Sequence, residues 1–217
     1  MNPDDIANYL LDHPAFFAER SELLTTITMP HPHDGERTIS LAERQLHALR
    51  EKIQQLEAKL AELIRYGEEN DVISEKVHRL SVALMSTRNY GLMLATLYGS
   101  MQEDFDIPHV AMRIWQSVLV RDEAEYAPVS ELLREHVALL PHPYCGAPEE
   151  AEVLGWFGEM APHLRSIAMM PLRVETETFG VLVLGSEEPE RFYPGMGTLY
   201  LERIAELVSA SLLSEVT

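Results

Sequence analysis

Cysteine is nearly absent from this chain of 217 residues: Cys145 stands alone. One thiol cannot close an internal disulfide, so stability has to come from packing, and a reducing cytoplasm is the expected location. Basic residues are scarce as well, 17 Lys and Arg against 35 Asp and Glu, which leaves a formal net charge of -18. Non-specific affinity for nucleic acid comes mostly from Lys and Arg neutralising phosphates. No direct contact with DNA or RNA is therefore expected, and no attraction to anionic membranes. No apolar run approaches the ~20 residues that span a bilayer, and the opening MNPDDIANYLLDHP is acidic where a secretory signal is basic. Clustered metal ligands are also missing. His31 and His33 stand two apart in MPHPHDG (29–35), with no Cys or third His beside them, so that segment reads as a solvated loop and no metal site is expected.

What is present is an apolar share of 46%, enough for the core of one ordinary domain plus an appendage. Residues 1–38 read as short helices and a loop. Asn2 can cap, Pro3 suits the first helical position, and Asp4 and Asp5 favour the positive end of the helix dipole. Phe16, Phe17, Leu23 and Leu24 then load a second short helical turn with apolar surface.

Residues 39–71 carry the strongest periodicity. Ser40-Leu-Ala-Glu43 forms a capping box, with Ile39, Leu46, Ile53 and Leu60 at a-type positions and Ala42, Leu49, Leu56 and Leu63 at d-type positions. Lys52 and Glu57 occupy g and the following e, where opposite charges pair between parallel helices. A two-position seam is narrower than a face built to cover a core, so a homodimeric coiled coil is expected through Leu46, Leu49, Ile53, Leu56, Leu60 and Leu63. An amphipathic helix lying on its own domain is the alternative. The seam breaks at Gly67-Glu-Glu-Asn-Asp71 and resumes out of phase with Ile73, Val77, Leu80 and Leu84, as in a continuous helix with a register change or a short hinge.

Residues 72–217 read as an α+β domain. His109–Trp115 alternates, with Val110, Met112 and Ile114 on one face and Ala111, Arg113 and Trp115 on the other; Ser117–Val120 extends it or starts another strand. A helix capped by Ser130 ends at Pro141. Ser166–Arg173 and Phe179–Ser186 are apolar on both faces, as central strands are, with a polar hairpin turn in VETET between them. Thr198 can cap a last helix striped by Leu201, Ile204, Ala205, Val208 and Leu212. The order predicts an antiparallel sheet flanked by helices.

This order, with MMPLR, FGVLVLGS and RFYP before a terminal helix, resembles the GAF fold of small-molecule sensor domains. The whole chain resembles a bacterial GAF-like family of unknown function with a helical N-terminal extension. It does so through HPAFF (13–17), MPHPHDG (29–35), SLAERQLHALR (40–50), PYCG (143–146) and GSEEPERFYPGMGTLYL (185–201). The resemblance implies a dimeric cytoplasmic protein whose gene often lies beside that of a tyrosine recombinase, which makes recombination machinery an expected protein partner.

The chemistry centres on PHPYCG (141–146). Cys145 as a nucleophile needs a base and an orienting group, and neighbouring His142 alone supplies no such set, so no catalytic residue is expected. GAF domains that reduce methionine sulfoxide cycle more than one cysteine, those that attach bilins usually follow the cysteine with His where Gly146 stands, and the cyclic-nucleotide motif is absent. No cofactor follows from these residues. A small-molecule cavity lined by Arg113, Trp115, Tyr144, Cys145, Gly146 and Met170 is one reading, with Arg113 pairing an anionic group and Gly146 admitting close approach. Core packing of Tyr144 and Cys145 is the other. Ser186, Arg191 and the Thr198 helix start form a second candidate, an anion site or a structural loop. The expected function is a non-catalytic regulatory module, with a ligand-free interaction scaffold and a Cys145 thiol enzyme as alternatives.

Overall fold

The computed structural model describes residues 2–20, 22–23, 41–117 and 122–213. The expected loop at 29–35, the capping box begun by Ser40, Ile39, Leu24 and residues 118–120 lie outside the described residues. The chain divides into two compact units, Met1–Lys59 and Leu60–Thr217.

In the first unit, α1 (Pro3–Asp12) starts with proline at its first position, and the Asn2 amide donates to the Asp5 carboxylate at 2.9 Å. A short α2 (Phe16–Glu19) follows, and Tyr9 stacks on His13 at 4.3 Å. The long α3 (Leu41–Ser86) starts in this unit and runs into the next without interruption, so Gly67–Asp71 is helical and no hinge. Leu46, Leu49, Ile53, Leu56, Leu60 and Leu63 are each at least 52% exposed, whereas Val77, Leu80 and Leu84 are buried. In heptad lettering the apolar stripe moves from a and d to d and g. The phase shift marks where the helix begins to pack on its own domain.

The second unit is a three-layer α+β structure around a four-stranded antiparallel sheet in the order β1-β4-β3-β2. Its strands are β1 (His109–Ile114), β2 (Tyr144–Gly146), β3 (Ser166–Val174) and β4 (Glu177–Ser186). Its helices after α3 are α4 (Tyr90–Glu103), α5 (Glu131–Leu139), α6 (Ala151–Gly155) and α7 (Leu199–Ser211). The Asn89 side chain accepts from the Leu92 amide at the start of α4, and Ser130 does the same for Leu133 in α5. On one face of the sheet, Met112, Ile114, Ala168, Met170, Leu172, Leu182 and Leu184 pack under α3, α4 and α7. On the other, Ile167, Met169, Val181 and Val183 pack under Val129, Leu133 and Val137 and under Val153 of α6. Both faces of β3 and β4 are therefore covered, which is why neither strand alternates polar with apolar. No helix among the described residues is long and apolar enough to cross a membrane.

The β3–β4 connection is shorter than the five-residue turn expected. Val174 pairs with Glu177, which leaves only Glu175 and Thr176 as the turn. Glu175 takes φ 53°, a left-handed conformation in which a Cβ crowds the backbone. Glu175→Asn should relieve this and raise stability by about 0.5–1 kcal/mol, read as a higher midpoint in urea with an unchanged slope.

Candidate functional site

The residues expected to line a cavity fall in three separate places. Cys145 and Met170 point into the core beneath α3, α4 and α7. Arg113, Trp115 and Tyr144 lie on the opposite face, Trp115 and Tyr144 half-buried against the second apolar cluster. Ser186 ends β4, and Arg191 and Thr198 lie in the segment that follows it.

Most of their polar groups are occupied within the fold. The Arg113 guanidinium stacks on the Trp156 ring at 4.7 Å, and its Nη1 donates to the Met112 carbonyl at 2.8 Å. Its Nε is buried without a hydrogen-bond partner among the described residues. Burial lowers the Arg113 pKa, and Glu125, Tyr98 and Glu152 nearby oppose that fall. Trp115 Nε1 donates to the Thr178 carbonyl at 3.0 Å. The Tyr144 hydroxyl donates to the Ala147 carbonyl at 2.8 Å, and a Cβ on Gly146 would sit 2.7 Å from that same hydroxyl oxygen. The space that Gly146 opens is thus taken by Tyr144's own side chain.

At the second candidate, Ser186 Oγ accepts from the Glu188 amide at 3.1 Å, and Arg191 Nη2 donates to the Phe105 carbonyl at 2.6 Å. Thr198 does not cap α7 with its side chain; its hydroxyl donates instead to Glu202 at 2.9 Å. The backbone at Thr198, φ -96° and ψ 1°, lacks the extended geometry from which a capping hydroxyl usually reaches forward.

Burial pushes the Cys145 thiol from 9.0 up to about 11. A thiolate is the reactive form, so at pH 8 its population is roughly 100-fold below that of a thiol at the ordinary value. Alkylation by iodoacetamide at pH 8 should be slower in the folded protein than in urea by at least that factor. A group whose pKa rises on folding stabilises the fold while protonated. That contribution is complete below pH 9 and declines as pH climbs towards 11.

PHPYCG is divided by the fold. YCG forms β2, and the preceding prolines lack the amide that would prolong the ladder. Because β2 pairs with Ile167, Ala168 and Met169 alone, the remaining edge of β3 has no strand beside it among the described residues. Pro171 carries no donor there, and the Arg173 amide turns to Ser209 Oγ of α7 at 3.1 Å. A cleft of about 370 Å³ results, bounded by Pro141, His142 and Pro143, by Pro171, Arg173 and Glu175, and by Glu202, Ala205, Glu206 and Ser209 of α7. Arg173 is committed elsewhere: Nη2 donates to the Ala138 and Leu140 carbonyls at 3.3 and 2.5 Å, and Nε to Thr178 at 3.2 Å. His142 Nδ1 lies 3.0 Å from Glu202 Oε1. Sequence reasoning named His142 but missed Arg173, Glu202, Glu206 and Ser209. The available signal was the pair Glu202 and Glu206, one turn apart at the margin of the apolar stripe of α7.

Among the described residues, no group of three or more His, Cys, Asp and Glu is placed to hold a metal ion.

Comparison with known proteins places these features in a family. The chain is similar to the uncharacterized protein YigA of Salmonella typhimurium (strain LT2), at 24% identity over 211 residues, covering 92% of this chain and 86% of that protein. It is similar to YigA of Escherichia coli (strain K12), at 24% over 213 residues with the same coverage. Among solved structures it is similar to the native GAF domain of the potassium sensor histidine kinase KdpD from Escherichia coli. That likeness has a TM-score of 0.41 and 14% identity, over 64% of this chain and 92% of that one. The family model described as "Protein of unknown function, DUF484" matches residues 1–214, and the chain belongs to that family.

Proposed function

We propose that this protein is a non-catalytic regulatory module of the cytoplasm, paired through α3, that binds a small molecule and passes its occupancy to a separate protein. The observation that carries the reading is the exposure of Leu46, Leu49, Ile53, Leu56, Leu60 and Leu63 along one stripe of an uninterrupted 46-residue helix. An aliphatic stripe of heptad spacing in water is relieved by the same stripe of a second copy, and Lys52 and Glu57 flank it with opposite charges. On this reading residues 1–38 are the N-terminal piece, 39–71 the dimerisation helix and 72–217 the sensory domain.

The link between domain and helix is α7. The Tyr200 hydroxyl donates to the Asn70 carbonyl of α3 at 2.9 Å, inside the segment where the heptad seam breaks. A ligand acts on α3 only by binding one arrangement more tightly than another, and α7 touches both the cleft and α3.

Light scattering after gel filtration at about 10 µM tests the assembly. The expected mass is about twice the 24.6 kDa of one chain, and a single-chain mass overturns the reading. The second reading, a ligand-free interaction scaffold for a protein partner such as recombination machinery, is favoured by the internal engagement of Trp115, Tyr144 and Arg191. Mass spectrometry of compounds released on denaturing the natively purified protein separates the two.

A further inference from the structure

We propose that a second copy of this chain docks in parallel along the outer face of α3, so that Arg203 of α7 in one protomer meets the partner's Asp71 and Glu75. The inference rests on the pairing proposed above and goes beyond it. It fixes the direction of the pair and draws the last helix of the domain into the interface.

The acidic half of the contact lies on α3. Glu68, Asp71 and Glu75 are spaced three and four residues apart, which sets them on one face of the helix, and all three are exposed. They start one turn beyond Ile64, which with Leu60 and Leu63 is more than half exposed. The cations of this stretch are spent elsewhere. Arg65 pairs with Glu69 at 3.1 Å, Arg79 pairs with Asp104 at 2.8 Å, and Lys76 lies 6.0 Å from the Phe105 ring. Among the described residues, no ion pair engages Glu68, Asp71 or Glu75. Two copies joined through the aliphatic stripe would bring these carboxylates near their own counterparts, where like charges repel. A parallel pair therefore needs a cation beside this segment.

That cation is carried by α7. The Tyr200 hydroxyl donates to the Asn70 carbonyl at 2.9 Å, and the Arg203 guanidinium lies over the Tyr200 ring at 5.5 Å. Arg203 is exposed and has no carboxylate partner among the described residues. Tyr66 is one turn before Asn70 on the same side of α3. Continuing the heptad lettering, Tyr66 is a g position and Asp71 the following e, as Lys52 and Glu57 are. In a parallel pair the g side of one helix faces the e side of the other, so Arg203 meets the acidic strip, and twofold symmetry repeats the contact. In an antiparallel pair like flanks meet, arginine against arginine and carboxylate against carboxylate. Tyr66, Tyr200 and Arg203 are also the residue types enriched at protein interfaces.

Light scattering over a dilution series of the full chain gives the dissociation constant of the pair and tests this. Arg203→Glu should weaken the pair about tenfold, because two attractions become repulsions. Adding Glu75→Arg to that chain should return the affinity to within about threefold of wild type, since the charges are then exchanged across the interface. Arg165→Glu, the same change of charge just before β3, should leave affinity unaltered. Both Arg203 and Glu75 are exposed, so the unfolding midpoint should stay where it is in each variant. A wild-type pair that Arg203→Glu weakens no more than Arg165→Glu does overturns the inference and leaves the pairing standing. So does a weakening that Glu75→Arg fails to reverse. A wild-type chain that is single at about 10 µM overturns both.

Discussion

If the chain pairs through α3 as proposed, replacing Leu49 and Leu56 together by Asp should leave it a monomer with the folded domain intact. Both side chains occupy d positions of the exposed stripe, at 59% and 54% exposure in the single chain. They contribute little to the fold of one chain, so their loss costs little there. In a pair of α3 helices the same positions become buried, and each Asp then carries a charge into the seam beside its counterpart. Four such charges per dimer should raise the dissociation constant by at least about 1000-fold, equivalent to roughly 4 kcal/mol. The expected record is a halved mass by light scattering with the main unfolding transition at an unchanged denaturant midpoint. Leu49→Ala with Leu56→Ala should fall between, because it removes apolar surface without adding charge. A wild-type chain that is already single, or an Asp variant that stays paired, overturns the proposal.

Gly180→Ala should have the largest effect of any single methyl added to the sheet. Gly180 lies in β4 between Ile114 of β1 and Leu172 of β3. A Cβ there would stand 2.6 Å from the Arg113 carbonyl oxygen, a contact with backbone that no side-chain rotation relieves. The strands must part or shift, at a cost of about 3 kcal/mol. For a domain of this size that lowers the melting temperature by roughly 10 °C. Gly67→Ala is the matched opposite: it sits in the middle of α3 with nothing within 4 Å of the added methyl. It should add about 0.5–1 kcal/mol through helix propensity. Thermal unfolding of the two variants should move in opposite directions.

Much of the fold was legible because it rests on local periodicity. The 3.5-residue spacing of Leu46 to Leu63 needs nothing beyond the chain itself to specify a helix with a narrow stripe. The alternation of β1 likewise assigned Met112 and Ile114 to the face opposite Arg113 correctly. The doubly apolar strands Ser166–Val174 and Glu177–Ser186 proved central in the sheet. The family expected from five ordered motifs is the one that matches. A shift of phase after Gly67 was equally visible, but its meaning was not. Whether Val77, Leu80 and Leu84 meet a second helix or their own domain depends on where α4 and the sheet lie.

The candidate site was less legible for the same reason. Tyr144 and Cys145 are adjacent in sequence, yet a strand sends neighbours to opposite faces, so one packs near Trp156's cluster and the other enters the core. Thr198 had the residue type of a cap, but the local dihedrals direct its hydroxyl to Glu202. The cleft depends on β2 stopping after three residues and on α7 crossing the uncovered end of β3. Composition and spacing by themselves determined the acidity, the long helix and the hairpin, because each is read from the chain's own residues in order, and the family was legible as a resemblance of ordered motifs. Only the tertiary structure decided which polar groups are spent on internal carbonyls and which remain at a cleft, because those contacts join residues far apart in the chain.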